Sequence, residues 1–201
     1  ADRMLDLGFY KDIQDVLKRL PKKRQTLFFS ATINPRIKKL AYSLVNNAIR
    51  IQISPKDPVS KNVNHFVSLI EMDDKRFFLE NLILENNEKK VMIFVRTQVR
   101  AERLAKAMTR VGIQMLIIHG GREQKERNKA LKQFREGEVN LFVATDVSAR
   151  GVDLPGVDIV VNYDLPEIAE NYVHRIGRTA RAGAAGVAIS FCDHSERGYL
   201  R

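Results

Sequence analysis

Short apolar runs alternate with amphipathic stretches along most of this chain, and their spacing predicts strands separated by helices. The runs Val63–Ile70, Val91–Val95, Met115–Ile118, Asn140–Ala144, Asp158–Asn162 and Val187–Phe191 are brief, nearly continuous and rich in Val, Ile and Leu. Strands buried on both faces of a parallel sheet read this way. Between them, Lys75–Leu84, Arg100–Arg110, Glu123–Phe134 and Ile168–His174 place apolar residues at helical spacing. The alternation predicts an α/β fold, a parallel sheet covered by helices on both faces. The start of the chain has its own pattern. Leu5, Phe9, Ile13, Val16, Leu17 and Leu20 predict a helix up to Pro21, followed by a buried strand at Thr26–Phe29, a helix at Pro35–Val45 and a strand at Ile49–Ile53. The segment Ser54-Pro55-Lys56-Asp57-Pro58-Val59-Ser60 continues neither helix nor central strand, because its two prolines lack backbone donors. A linker at 54–62 therefore divides the chain into segments 1–53 and 63–201. Ser195–Arg201 predicts a last helix. No internal repeat interrupts the scheme.

Composition narrows the partner. Of 201 residues, 34 are Lys or Arg and 24 are Asp or Glu, giving a net charge of +10. Such a balance favours a polyanion, nucleic acid first and an acidic membrane second. No apolar run approaches the ~18–20 residues of a membrane span, which weakens the second option further. Cys192 is the only cysteine; an internal disulfide is excluded, a cysteine-based metal site is disfavoured, and a reducing intracellular compartment fits best. The chain opens on Ala1-Asp2-Arg3 without an initiating Met and stops inside a predicted helix, so both ends read as cuts through a longer protein.

Ligands of parallel α/β sheets bind at the carboxyl ends of strands, and five polar segments of this chain sit there or follow nearby. In His174-Arg175-Ile176-Gly177-Arg178-Thr179-Ala180-Arg181, arginines recur every three residues; on a helical turn Arg178 and Arg181 share a face, where two guanidinium forks can grip a phosphate. A solvated basic face is the plainer alternative. Thr145 to Asp153 follows a strand directly. Its hydroxyl and amides suit a phosphate oxygen, Gly151 admits close approach, and Asp153 suits a ribose hydroxyl, while a polar loop with Asp146 as helix N-cap explains it equally well. His119-Gly120-Gly121 with Gln124 and Arg127 offers backbone donors at Gly121 and a cation within reach of a sugar-phosphate chain, or simply begins a helix. Thr97, after Phe94-Val95-Arg96, suits a phosphate or an N-cap, and Ser30-Ala31-Thr32 suits a relay or a capping turn.

Taken together, these segments resemble the DEAD-box family of ATP-dependent RNA helicases over nearly the whole chain. Ala1-Asp2 matches the end of the family's Asp-Glu-Ala-Asp box and Arg3 to Phe9 the run that follows it. Ser30-Ala31-Thr32, Phe94 to Thr97, Gln124 to Arg127, Ala144 to Asp153 and His174 to Arg181 match later motifs in order. Two departures stand out: Ala180 occupies a position where many members have Gly, and Ala184-Ala185 one where a basic residue is frequent.

The resemblance implies two RecA-like lobes, with residues 1–53 the tail of the first and 63–201 most of the second. It implies ATP in the cleft, with Mg2+ held mainly by residues outside this chain, and a single RNA strand across both lobes. Arg178 and Arg181 become arginine fingers for the γ-phosphate, Gly151 and Asp153 nucleotide contacts, and Asp2, Ser30, Thr32, Arg150 and His174 couplers between lobes. Thr97, Gly121, Arg127 and Thr145 become RNA backbone contacts, so recognition should be independent of base sequence. The implied parent is a cytoplasmic, RNA-stimulated ATP hydrolase that separates duplexes locally, with no membrane role. This chain alone, lacking the phosphate-binding loop, is expected not to hydrolyse ATP. A non-enzymatic RNA clamp or annealing scaffold is the alternative, and a DNA translocase a third reading that the last motif opposes.

Overall fold

The computed structural model describes residues 4, 8–30, 35–45, 47–52, 62–149, 154, 156–180 and 185–200. The chain divides into two compact units, Ala1–Ser54 and Pro55–Arg201.

The larger unit is a six-stranded sheet in the order β1-β6-β5-β2-β4-β3, parallel in every pairing. Its strands are β1 (Val63–Leu69), β2 (Val91–Phe94), β3 (Leu116–Ile118), β4 (Leu141–Ala144), β5 (Ile159–Asn162) and β6 (Gly186–Cys192). Strands β2, β4 and β5 are buried throughout, which is why their sequences are apolar without alternation. Successive residues still face opposite layers. Val91 and Ile93 join Val143, Val161 and helices α3 (Lys75–Glu85) and α4 (Gln98–Arg110) on one face. Met92 and Phe94 join Phe142, Val160 and helix α5 (Gln124–Glu136) on the other. Helices α6 (Asp146–Ala149) and α7 (Ala169–Ile176) follow β4 and β5, and a 3-10 helix, His194–Leu200, replaces the last predicted α-helix. The arrangement is the RecA-like α/β fold, and it brings the ends of β5, β2, β4 and β3 side by side at the carboxyl edge.

In the smaller unit, helices α1 (Tyr10–Arg19) and α2 (Pro35–Leu44) carry a small core in which Ile37 and Leu40 are buried against Ile13, Phe28 and Leu44. Two expectations change here. Helix α1 starts at Tyr10, since Gly8, with φ +87°, interrupts the helical path; Met4 before it is helical, and Leu5 lies outside the described residues. The strands expected at Thr26–Phe29 and Ile49–Ile53 do not form among the described residues. Thr26, Phe28 and Ser30 are half-buried while Leu27 and Phe29 are exposed, so the alternation of a strand is present without a ladder. Two short segments supply too little sheet to be stable by themselves.

Candidate nucleotide and nucleic-acid site

The corner after β2 is closed by Thr97, whose extended backbone lets its Oγ1 accept from Arg100 N at 3.2 Å and cap α4. Both sequence readings of Thr97 are compatible, because a capping hydroxyl still carries its own O–H as a donor and the residue is exposed.

At the corner after β3, buried His119 accepts at Nδ1 from Gly121 N (3.1 Å), so Nε2 holds the proton and donates to Glu102 Oε1 at 2.8 Å. Arg122 donates to the same oxygen through Nε (2.9 Å) and Nη2 (2.6 Å). Burial pushes the Glu102 carboxyl up, but the hydrogen bonds from His119 and Arg122 prevail and hold it below its ordinary value. The donor expected from the Gly121 backbone is thus engaged within the turn, a correction to the sequence reading. What Gly121 contributes is space: a Cβ there would lie 2.8 Å from Gln98 Oε1, whose side chain bridges this corner and that of Thr97. In the first turn of α5, half-buried Arg127 donates through Nη1 to Gln124 Oε1 at 3.3 Å, while its buried Nε has no hydrogen-bond partner.

The corner after β4 belongs to Thr145 rather than Asp146. The Thr145 carbonyl accepts from Ser148 N (3.1 Å) and Ala149 N (3.0 Å), its N–H donates to Ser148 Oγ (3.2 Å), and Ser148 Oγ donates to Ile118 O at the end of β3 (2.7 Å). Thr145 is buried, and its Oγ1 lies 3.1 Å from Ser148 Oγ. Asp146, expected as an N-cap, has another partner. Arg175 grips it with Nε at 2.7 Å and Nη2 at 2.8 Å, donates from Nη1 to Asn162 Oδ1 (3.1 Å) and Asp164 O (2.6 Å), and stacks on Phe94.

The arginine array therefore splits by depth. Arg175 is 1% exposed and ties α7 to the β4 corner. Arg178 lies beyond the end of α7, half-buried, with its N–H bonded to Arg175 O (3.1 Å) and its Nε donating to His174 O (3.3 Å). The next residue, Thr179, is buried and donates through Oγ1 to Asp158 O at 3.0 Å, anchoring this segment beside β5. Ala180 then adopts φ +54°, a left-handed conformation that costs an L-residue about 1 kcal/mol. Ala180→Gly should raise the midpoint of urea unfolding only slightly, with a gain of at most about 0.5 kcal/mol after allowance for the freer unfolded chain.

Ser30 lines a cavity of about 520 Å³ in the smaller unit, with Ile37, Tyr42 and Ile51 among its walls. Asp2, Thr32, Arg150, Gly151, Asp153 and Arg181 lie outside the described residues, so the shared face expected for Arg178 and Arg181 does too. Among the described residues, no group of three His, Cys, Asp or Glu side chains could hold a metal ion.

The family model described as helicase conserved C-terminal domain matches residues 74–183, more than half of the chain, and that of the DEAD/DEAH box helicases matches residues 1–40. The chain belongs to the DEAD-box helicase family. Among its relatives, an ATP-dependent RNA helicase RhlB from Shewanella amazonensis is 42% identical over 193 residues, covering 95% of this chain and 44% of the relative. The ATP-dependent RNA helicase DBP2 of Saccharomyces cerevisiae is 40% identical over 202 residues, 98% of this chain and 37% of the relative. The chain thus spans less than half the length of these relatives. A structure of S. cerevisiae Dbp5 bound to RNA and ADP BeF3 superposes with a TM-score of 0.85 at 34% identity, covering 99% of this chain and 53% of that one. Both helicase segments include candidate residues named above: Asp2, Ser30 and Thr32 in the first, and Thr97 through Arg181 in the second.

Sequence reasoning missed Arg175 as a structural residue, and it missed Asp146, Asn162 and Asp164 as its partners. One signal was available. Asn162 and Asp164 are polar residues at the end of an otherwise apolar strand, and such groups need a buried partner.

Proposed function

We propose that the chain is the part of an ATP-dependent RNA helicase that carries the end of the first lobe and most of the second, in which the carboxyl edge of the sheet faces RNA and the segment after α7 faces ATP. The observation that carries this reading is the sorting of the strand-end residues by sheet order. Thr97, Thr145, and Gly121 with Arg127 follow β2, β4 and β3, three adjacent strands. Arg178 follows α7 and stands beside Thr179, which is held to Asp158 O at the amino end of β5. Arg127 adds a half-buried guanidinium whose Nε finds no acceptor among the described residues.

In this reading, Thr97 donates its hydroxyl proton to a phosphate oxygen and the Arg127 guanidinium meets the next stretch of backbone. Arg178 approaches the transferring phosphoryl group of ATP, whose binding loop belongs to the first lobe, and neutralises the charge that develops there. Arg181, Gly151 and Asp153 complete the nucleotide side, and His174 and Arg150 contact the first lobe at Asp2, Ser30 and Thr32 when ATP closes the cleft. Mg2+ would be held mainly by first-lobe residues outside this chain, where it would help neutralise the phosphate charge.

Contacts to phosphates make binding indifferent to sequence and sensitive to salt. Fluorescence anisotropy of the full-length protein should give similar affinities for oligouridylate and oligocytidylate, with log K falling linearly against log salt. A flat salt response or a strong base preference would count against the backbone contacts.

A further inference from the structure

A second set of deeply buried charges in the larger unit lies behind the corner after β2. Lys75, in the first turn of α3, is 0% exposed, and Glu196, in the 3-10 helix, is 2% exposed. Lys75 Nζ donates to Tyr163 O (2.9 Å), to Phe191 O (3.0 Å) and to Glu196 Oε2, which uses all three of its protons. Glu196 Oε2 also accepts from Asp193 N at 3.4 Å, and Oε1 accepts from Leu165 N (3.0 Å) and Arg96 Nη2 (3.1 Å). A buried ion pair seldom stabilises a fold more than an apolar pair of the same size, because both ions forgo hydration. Stability alone therefore does not account for this one.

What the pair holds is the corner that presents Thr97. Arg96 immediately precedes Thr97, and its side chain is drawn to Glu196 and stacked over Tyr199 at 5.6 Å. The backbone of the same residue donates to Asp164 Oδ2 at 2.9 Å, while Arg100 Nη2, one turn into α4, pairs with Asp164 Oδ1 at 2.6 Å. Asp164 and Leu165 are adjacent, and the Leu165 N–H ends on Glu196. The corner is thus fixed by one carboxylate through its backbone and by another through its side chain, and Lys75 anchors the second to the ends of β5 and β6.

We propose that Glu196, backed by Lys75, is a positioning residue for RNA binding, which keeps the Arg96–Thr97 corner in the geometry from which Thr97 meets the sugar-phosphate backbone. This rests on the reading of Thr97 as an RNA contact. Melting temperature reads the structural role and the RNA affinity of the folded variant reads the positioning role, so the two separate experimentally. The full-length protein carrying Lys75→Met with Glu196→Leu is compared with the unmodified protein by thermal melting, by ATP KM, and by anisotropy of labelled oligouridylate with a non-hydrolysable ATP analogue. The expected result is a folded protein with a lowered melting temperature, because Tyr163 O, Phe191 O and Leu165 N lose their partners, with an unchanged ATP KM and RNA affinity weakened about 10- to 150-fold, the equivalent of one lost charge-assisted hydrogen bond.

A folded double variant with undiminished RNA affinity, or one whose ATP KM rises in step with RNA dissociation, overturns the proposal. If the double variant does not fold, Glu196→Gln decides, since it keeps the shape and one acceptor while removing the charge. RNA binding several-fold weaker at unchanged ATP KM supports the positioning role, and unchanged binding overturns it. Failure of the unmodified protein to bind RNA at all would instead remove the reading of Thr97 on which the proposal stands.

Discussion

Arg178→Ala in the full-length protein is expected to lower RNA-stimulated ATP turnover by about 10³- to 10⁵-fold, the range in which an arginine finger acts on a transferring phosphoryl group. The effect should fall on kcat, because a finger meets charge that is largest in the transition state. RNA affinity should change little. Arg178 stands beside Thr179 at the amino end of β5, whereas the residues assigned to RNA follow β2, β4 and β3 at the carboxyl edge. Arg178→Lys should recover only a small part of the rate, since an ammonium lacks the planar fork. Steady-state hydrolysis at saturating single-stranded RNA, paired with anisotropy on the same samples, checks both halves of this expectation.

Arg175→Ala is expected to act through stability, with a loss of about 3–5 kcal/mol, the range for removing one partner of a buried ion pair. Three groups lose donors at once: the carboxylate of Asp146, the amide oxygen of Asn162 and the carbonyl of Asp164. Asp146→Asn should cost less, because the Asp146 side chain is 26% exposed and water can replace part of the interaction. Urea unfolding of the two variants gives the comparison. Arg175 and Arg178 thus stand three residues apart with opposite predicted signatures, one on the unfolding midpoint and the other on turnover in a fully folded protein.

The contrast between these two arginines shows what could be read from sequence and what could not. Spacing marks Arg175 and Arg178 alike as members of one basic array. Their separation depends on Asp146, Asn162 and Asp164, which come from two other parts of the chain and meet Arg175 only once β4 and β5 flank β2. The strands themselves were legible for a simple reason: β2, β4 and β5 are buried on both faces, so burial left an uninterrupted apolar record. Local sequence also marked Thr26–Phe29 as a strand, yet a strand requires neighbours to share its ladder, and the smaller unit has none among its described residues. Gly121 was placed in the right turn, but its N–H is taken by the ring of His119, a partner that spacing does not reveal. The Lys75–Glu196 pair left no local trace at all, since its members stand 121 residues apart.

The central claim is that this chain supplies the ATP finger and the RNA edge of one coupled motor. ATP hydrolysis by the full-length protein, titrated in parallel with single-stranded RNA and with DNA of the same sequence, tests that claim most directly. The account predicts strong, saturable stimulation by RNA and little by DNA. Equal stimulation by DNA would contradict the substrate assignment, and tight RNA binding with no hydrolysis at any RNA concentration would contradict the motor and leave a clamp in its place.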